Sequence, residues 1–336
     1  MKVVTFGELM MRLTPPNYSR IVQATEFQAV FGGGEANVAA SLALFGHKVQ
    51  FVTKLPENDL GTSALRHLKQ QGVHTDFIAR GGERLGLYFL EQGMSFRPSQ
   101  VIYDRKNSSI AKASQEDFDW EAIFEGADLF HTSGITLGIS DVAREIALTA
   151  IKAAKNKGIK TSFDINYRSK LWGLDEAREA IKSILPYVDI CFGGYLDAVN
   201  ILGLKSSISD GNREKLYEDL FQQICTFYGV KKVICTFRET HSVTKHSLTG
   251  YLYSWGEGIL TTDSQTFDIL DRVGGGDAFA AGYLHGHLSG WSDEDSLNFA
   301  LGASVLKHTI SGDANLATER EVRAFLSDKG VSGIVR

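Results

Sequence analysis

Short apolar runs alternate with stretches of helical period over most of the chain. Residues 3–6 and 49–52 read as strands, rich in valine and phenylalanine. Residues 36–45 read as a small-residue helix stopped by Gly46, and residues 60–71 as a helix closed by Gly72. Farther along, a helix is predicted over 142–156, ending at Gly158, with strands over 159–163, 188–192 and 232–236. Strands separated by helices pair in parallel, because such a crossover returns the chain in the same direction. The pattern therefore predicts an α/β fold: a doubly wound, mostly parallel sheet flanked by helices, with right-handed crossovers.

Two segments interrupt the alternation. Residues 11–30 and 85–105 carry few helix signals and many aromatic or β-forming residues, among them Tyr88, Phe89, Leu90, Val101, Ile102 and Tyr103. They are expected to form a small β-sheet lid over the ligand edge of the main sheet. The other reading is a pair of ordinary edge strands. A hairpin is predicted over 251–262, turning at Gly256-Glu257. There is no internal repeat or low-complexity tract, and the five prolines mark no linker, so residues 1–336 are expected to form one domain.

Composition narrows the function classes. A hydrophobic fraction of 43% across 336 residues is enough for a large core. The net charge of -5 and the lack of a Lys/Arg stripe argue against nucleic-acid binding. No apolar run approaches the ~20 residues that span a bilayer, and Met1-Lys2 leads directly into strand-like sequence rather than a secretory signal. Cys191, Cys225 and Cys235 are too far apart for a metal or redox motif. They are expected to be buried thiols of a reducing, cytoplasmic protein. His285 and His287 would point to different faces of a helix, and His241 and His246 fall in a polar stretch expected to be loop. No metal site emerges from the histidines.

Candidate chemistry begins at Asp271-Arg272-Val273-Gly274-Gly275-Gly276-Asp277, followed by Ala278-Phe279-Ala280-Ala281-Gly282-Tyr283. Three consecutive glycines propagate neither helix nor strand; they permit a tight turn whose N–H groups converge. The small apolar run behind them reads as a helix. Those donors then lie at its N-terminus, where unpaired N–H groups and the positive dipole end attract phosphate. No Gly-Lys-Ser/Thr follows, which separates the turn from a P-loop. Asp277 at its mouth has two readings: an ordinary helix N-cap, or a base that takes the proton of an attacking hydroxyl as a phosphoryl group arrives.

A second glycine cluster, Phe31-Gly32-Gly33-Gly34-Glu35-Ala36-Asn37-Val38, opens the first small-residue helix. Glycine lets backbone approach a ligand closely, and Asn37 offers both donor and acceptor to hydroxyls. Taken alone, the cluster would also fit a dinucleotide-binding turn. It lacks the Gly-x-Gly-x-x-Gly spacing, however, and follows the lid-like stretch rather than a strand.

In this order and separation the two clusters resemble those of the ribokinase family of carbohydrate kinases, also named after phosphofructokinase B. The similarity runs from Phe6-Gly7-Glu8 to Ser311-Gly312-Asp313-Ala314. The resemblance implies a ribokinase-like fold and transfer of a phosphoryl group from ATP, with Mg2+, to a primary hydroxyl. It implies Asp277 as the base, the amides of Gly274, Gly275, Gly276 and Asp277 as the anion hole, and Asp271 as its organiser. Gly33, Gly34 and Asn37 would touch the sugar, and Thr236, Arg238 and Asn166 the nucleotide.

Within the family the similarity is greatest to members that phosphorylate 2-keto-3-deoxy sugar acids. It is carried by Gly7-Glu8-Leu9-Met10-Met11-Arg12, by Tyr103-Asp104-Arg105-Lys106-Asn107, and by Asp164-Ile165-Asn166-Tyr167-Arg168 with Leu171-Trp172. A sugar acid carries a carboxylate, which arginine binds bidentately. Arg105 and Arg168, with Tyr88, Tyr103 and Asp313, are the substrate-binding candidates. The sequence also departs from the family pattern. Gly194-Tyr195-Leu196-Asp197 stands where Asn-x-x-Glu organises magnesium, leaving Asp197 as the metal candidate, acting through water. Thr236-Phe237-Arg238 replaces a Thr-x-Gly nucleotide turn, and Arg238 is expected to reach the phosphates. Arg272 stands where a small or hydroxylated residue is commoner, which argues against a free monovalent cation beside the turn. Competing readings are a neutral-sugar kinase for fructose or ribose, a non-catalytic sugar-binding regulator, and a nicotinamide-dependent oxidoreductase. Apolar lid residues Tyr88, Leu90, Val101 and Tyr103 suggest a homodimer through the lid.

Overall fold

The computed structural model describes residues 1–208 and 211–328. The first elements are β1 (Lys2–Phe6), β2 (Met10–Thr14), β3 (Gln28–Gly32), α1 (Gly34–Leu44), β4 (Lys48–Leu55), α2 (Asp59–Gln70), β5 (Ile78–Arg80), β6 (Gly86–Glu91) and β7 (Gln100–Asp104). Next come α3 (Trp120–Ile123), β8 (Leu129–Ser133), α4 (Gly134–Ile139), α5 (Asp141–Asn156), β9 (Lys160–Asp164), α6 (Leu174–Ile184) and β10 (Ile190–Phe192). The described chain continues through α7 (Arg213–Tyr228), β11 (Lys232–Ser242), β12 (Lys245–Ser254), β13 (Gly258–Thr261), β14 (Gln265–Asp268), α8 (Gly275–Leu288), α9 (Asp293–Lys307) and α10 (Glu319–Asp328).

In the main sheet, β5, β4, β1, β8, β9, β10 and β11 pair in parallel in that order, and β12, β13 and β14 extend it antiparallel beyond β11. The chain winds outward from β1 through β4 to β5, then returns to the other side of β1 at β8 and winds outward again. This reversal opens a crevice beyond the carboxyl ends of β1 and β8, the place where open α/β sheets take ligands. Strands in such a sheet are covered on both faces, and every residue of β8 is buried. Helix α5 shows how the covering layer forms. Ser140 Oγ accepts from the Ala143 N–H at 3.1 Å to start it, and Ala143, Ile146, Ala147, Ala150, Ile151 and Ala154 form its buried stripe. Gly158 follows its end in the left-handed region.

The two interrupting segments meet in one four-stranded sheet, β3-β2-β6-β7, parallel between β2 and β6 and antiparallel on both flanks. The lid reading holds. One strand boundary is corrected: β11 does not stop at Thr236. With arginine rather than glycine at 238, nothing relaxes the backbone into a turn. The strand pairs straight through, Thr236 opposite Gly250 and Arg238 opposite Leu248. His241 and His246 therefore sit on paired strands instead of a loop, with His246 buried. The early glycine cluster also does follow a strand, β3, but one that belongs to the lid. The three cysteines are buried and unpaired, and no described helix is long and apolar enough to cross a membrane.

Candidate active site

A cleft of about 1140 Å³ separates the lid from the carboxyl edge of the sheet. The predicted residues Gly33, Gly34, Asn37, Tyr88, Tyr103, Arg105, Asn166, Arg168, Arg238, Gly274, Gly276, Asp277 and Asp313 all line it. Gly275, Thr236 and Asp197 are not among the lining residues.

The glycine turn is built as its sequence requires. Gly274 has φ 83°, and any Cβ there would collide with the Asp313 carbonyl. Gly275 packs on the His308 ring instead of facing the cleft. At Gly276, by contrast, nothing lies within 4 Å of the Cβ position, so its glycine keeps clear the space directly above the turn. The first ladder bond of α8 runs from the Ala278 N–H to Gly274 O at 2.8 Å, which leaves the N–H groups of Gly275, Gly276 and Asp277 outside the ladder. They are donors at the positive end of a 14-residue helix.

Asp277 is not the N-cap; Gly274 is. Its carboxylate instead accepts a 2.7 Å hydrogen bond from Asn37 Nδ2 on α1, and Gly34 at the start of that helix lies directly across from it. Burial pushes the Asp277 carboxyl up to about 7, against the lowering effect of the Asn37 hydrogen bond and Arg168. Asp164, at the carboxyl end of β9, is pushed up to about 8, by burial first and then by Asp277 and Asp197. Asn166 clasps it with its backbone N–H at 3.0 Å and its side chain at 3.3 Å, and adopts φ 37° to do so. The sequence reading did not single out Asp164 as a site residue; its place at the end of a predicted strand, in a motif already noted, was the available signal.

Three guanidinium groups share one region of the cleft wall. Arg168, Arg238 and Arg272 all line it, and none has a carboxylate at ion-pair distance among the described residues. Burial lowers Arg238 to about 10, with Arg272 and Arg168 lowering it further, and Arg272 is lowered by burial and by Arg168. Positive groups that oppose one another in this way form a site for a multiply charged anion.

Arg105 differs from these. Its guanidinium pairs with buried Glu8 and lies 5.7 Å from the centre of the Tyr103 ring. Glu8 also accepts from Ser108 Oγ at 2.5 Å. Asp313 and Tyr88 are likewise committed: the Tyr88 hydroxyl donates to Asp313, whose other oxygen lies 2.8 Å from Arg12. Arg12, on lid strand β2, also donates to Asp271 at 2.6 Å, and Asp271 accepts from the N–H groups of Val273 (3.1 Å) and Gly312 (3.0 Å). Asp313 thus faces the cleft with one carboxylate oxygen engaged by Tyr88 and the other by Arg12. This buried Arg12 bridge ties the lid to the glycine turn, and no local pattern marks it. Asp197 is set back from the cleft surface. Its carboxylate accepts from the Gly194 N–H at 2.8 Å and lies behind the cleft wall. Burial raises its proton affinity. Thr236 is held in the middle of the β11–β12 pairing.

A helix N-terminus with free donors, a carboxylate poised near neutrality and a cluster of unpaired arginines is equipment for moving a phosphoryl group to an alcohol. The chain belongs to the pfkB family of carbohydrate kinases, whose family model matches residues 1–320. A solved 2-dehydro-3-deoxygluconokinase from Thermotoga maritima is 42% identical, with a TM-score of 0.94 over 97% of this chain and 99% of that one. The 2-dehydro-3-deoxygalactonokinase of Haloferax volcanii is 33% identical over 100% of this chain and 99% of its own length. Aminoimidazole riboside kinase from Salmonella enterica, solved with its riboside and an ATP analogue, shares the fold at 22% identity and a TM-score of 0.74, over 97% of this chain and 100% of that one.

Proposed function

We propose that this kinase transfers the γ-phosphoryl group of ATP to the terminal hydroxyl of a 2-keto-3-deoxy sugar acid, 2-keto-3-deoxygluconate foremost, giving the 6-phosphate. The observation that carries this reading is the unpaired Arg168, which lines the cleft within electrostatic reach of both the Asp277 carboxylate and the other cleft arginines. A neutral sugar has no group that a partnerless guanidinium in the cleft wall would bind in bidentate fashion. The names of the Thermotoga and Haloferax relatives support the same substrate class.

In this reading the polyphosphate lies along Arg238 and Arg272, with the γ-phosphoryl group over Gly276. The sugar acid lies under the lid, its carboxylate toward Arg168 with Arg105 and Tyr103 beside it, and its terminal hydroxyl toward Asp277. Asn37 holds the Asp277 carboxylate, which takes the hydroxyl proton as the oxygen attacks. The N–H groups of Gly275, Gly276 and Asp277 receive the charge that gathers on the moving group. Lid closure keeps water from attacking in place of the sugar. Asp164 and Asp197 supply hard oxygen donors that burial biases toward holding a proton, and they fit magnesium, which would take the place of that proton, with Asp197 acting through water. When bound with ATP, that ion neutralises phosphate charge.

Three unpaired, buried thiols suit a reducing compartment, and we place the protein in the cytoplasm. We also propose that it dimerises through the lid, by a different face from the one first expected. Tyr88 and Leu90 pack inward with Met10 and Val101, while Phe27 and Ile102 are exposed on the lid. Light scattering tests this; a monomeric mass would remove it. The substrate is tested by ADP release in a panel of 2-keto-3-deoxygluconate, 2-keto-3-deoxygalactonate, fructose and ribose. Turnover should be confined to the two sugar acids. Faster turnover of fructose or ribose would assign a neutral-sugar kinase instead.

A further inference from the structure

Beneath the glycine turn lies a charge that the mechanism above does not use. Lys307, the last residue of α9, is completely buried. Its Cε would be 3.1 Å from a Cβ on Gly274, so its side chain packs against the residue that caps α8. Its ammonium donates to the Ile310 carbonyl at 3.1 Å, the one hydrogen bond it makes among the described residues, although an ammonium carries three donors. No described carboxylate lies at ion-pair distance from it. Burial lowers its proton affinity, and Arg12 adds to that; Asp271, Asp313 and Asp277 favour the charged form and offset part of the loss.

A lysine buried only for structure would be expected to sit directly on one of those carboxylates, since an unpaired buried charge is costly. This one is held instead by backbone oxygen, behind the turn. Such surroundings, carbonyl oxygen with carboxylates just beyond, are what a free alkali cation would take. The charge balance makes the same point. Asp271, Asp313 and Asp277 place three carboxylates around the turn, and Arg12 offsets only part of their charge. Arg168, Arg238 and Arg272 stand on the cleft side, so a positive charge behind the turn falls to Lys307, which packs against Gly274.

We propose that Lys307 is a positioning residue that acts as a tethered cation: its ammonium sits where a free monovalent cation would otherwise be needed, and sustains the anion-binding field of the turn over Gly276. The proposal rests on the kinase reading of this site and concerns its electrostatics, not the sugar. The wild-type enzyme then needs no potassium or ammonium ion.

The test uses the full chain and the variants Lys307→Met and Lys307→Gln, in potassium, ammonium and choline chloride at matched ionic strength. Wild-type kcat and Tm should be the same in all three salts. In choline, Lys307→Met should lose about 100-fold in kcat with KM for ATP changed less than about threefold, the mark of an interaction made in the transition state. Potassium or ammonium should restore at least about tenfold of that loss and should raise the Tm of the variant, but not of the wild type. The Tm arm needs no substrate, so it stands even if the sugar has been misassigned. Equal loss in all three salts, with no cation-specific gain in Tm for either variant, would reduce Lys307 to a structural residue and overturn the proposal. So would a wild-type enzyme that itself required potassium, or two variants that fail to fold whichever cation is supplied.

Discussion

The carboxylate of Asp277 accepts a 2.7 Å hydrogen bond from the side chain of Asn37, a residue 240 positions earlier in the chain. This bond joins the N-terminal turns of α1 and α8, and hence the two glycine clusters, across the switch point of the sheet. It also favours the charged form of Asp277 against burial. With Asp277 near 7, kcat/KM should rise as pH increases through neutrality and then level off. Replacing Asn37 with Leu removes the bond, so the acid limb of that profile should move to higher pH and kcat should fall about ten- to hundredfold. A pH–rate series on both proteins checks this. An unmoved limb would mean that another group titrates.

Arg168 and Arg238 should separate cleanly in steady-state kinetics. Arg168→Ala should raise KM for the sugar acid by about 50-fold and leave KM for ATP nearly unchanged. Arg238→Ala should do the reverse, raising KM for ATP about tenfold. Arg105→Ala should have a smaller effect on the sugar acid than Arg168→Ala, because its guanidinium already serves Glu8. An Arg105 effect larger than that of Arg168 would move the carboxylate to the lid.

Asp164 links the site to stability. Its carboxyl titrates near 8 in the folded chain and near the ordinary aspartate value when unfolded. The folded protein therefore holds a proton that the unfolded chain gives up. The resulting stability is present below the unfolded value and is lost as pH rises through about 8. Asp164→Asn keeps a neutral, hydrogen-bonding side chain at every pH. Its Tm relative to the wild type should rise by about 2 °C or more between pH 5 and pH 9. Thermal melts at the two pH values decide the matter. A variant that loses stability at pH 9 would show that the carboxylate is stabilising there.

Much of this molecule could be read from local pattern. The alternation of apolar strands and helices predicted the sheet, and the helix ends at Gly46, Gly72 and Gly158 all have positive φ as expected. Asp277 and its glycines were legible because a turn of that composition has few other uses. What stayed hidden depends on topology. Arg12 meets Asp271 across 259 residues, and no local signal on β2 marks it as anything but a polar residue of a lid strand. Lys307 looks like the ordinary basic residue at a helix C-terminus, and only the packing of α9 under the turn buries it. Strand β8 was passed over because His131, Thr132 and Ser133 break its apolar run. Their polar atoms are satisfied inside the sheet edge, where His131 meets Ser162 at 2.9 Å and Thr132 donates to Phe6 O at 2.9 Å.

The central claim is that one carboxylate beside the glycine turn removes the proton from the attacking hydroxyl. Its most direct test is Asp277→Asn, assayed for turnover with 2-keto-3-deoxygluconate and for ATP binding by calorimetry. The account expects kcat to fall about 1000-fold while ATP affinity stays within about threefold of the wild type. A variant that keeps kcat within about tenfold of the wild type would contradict it.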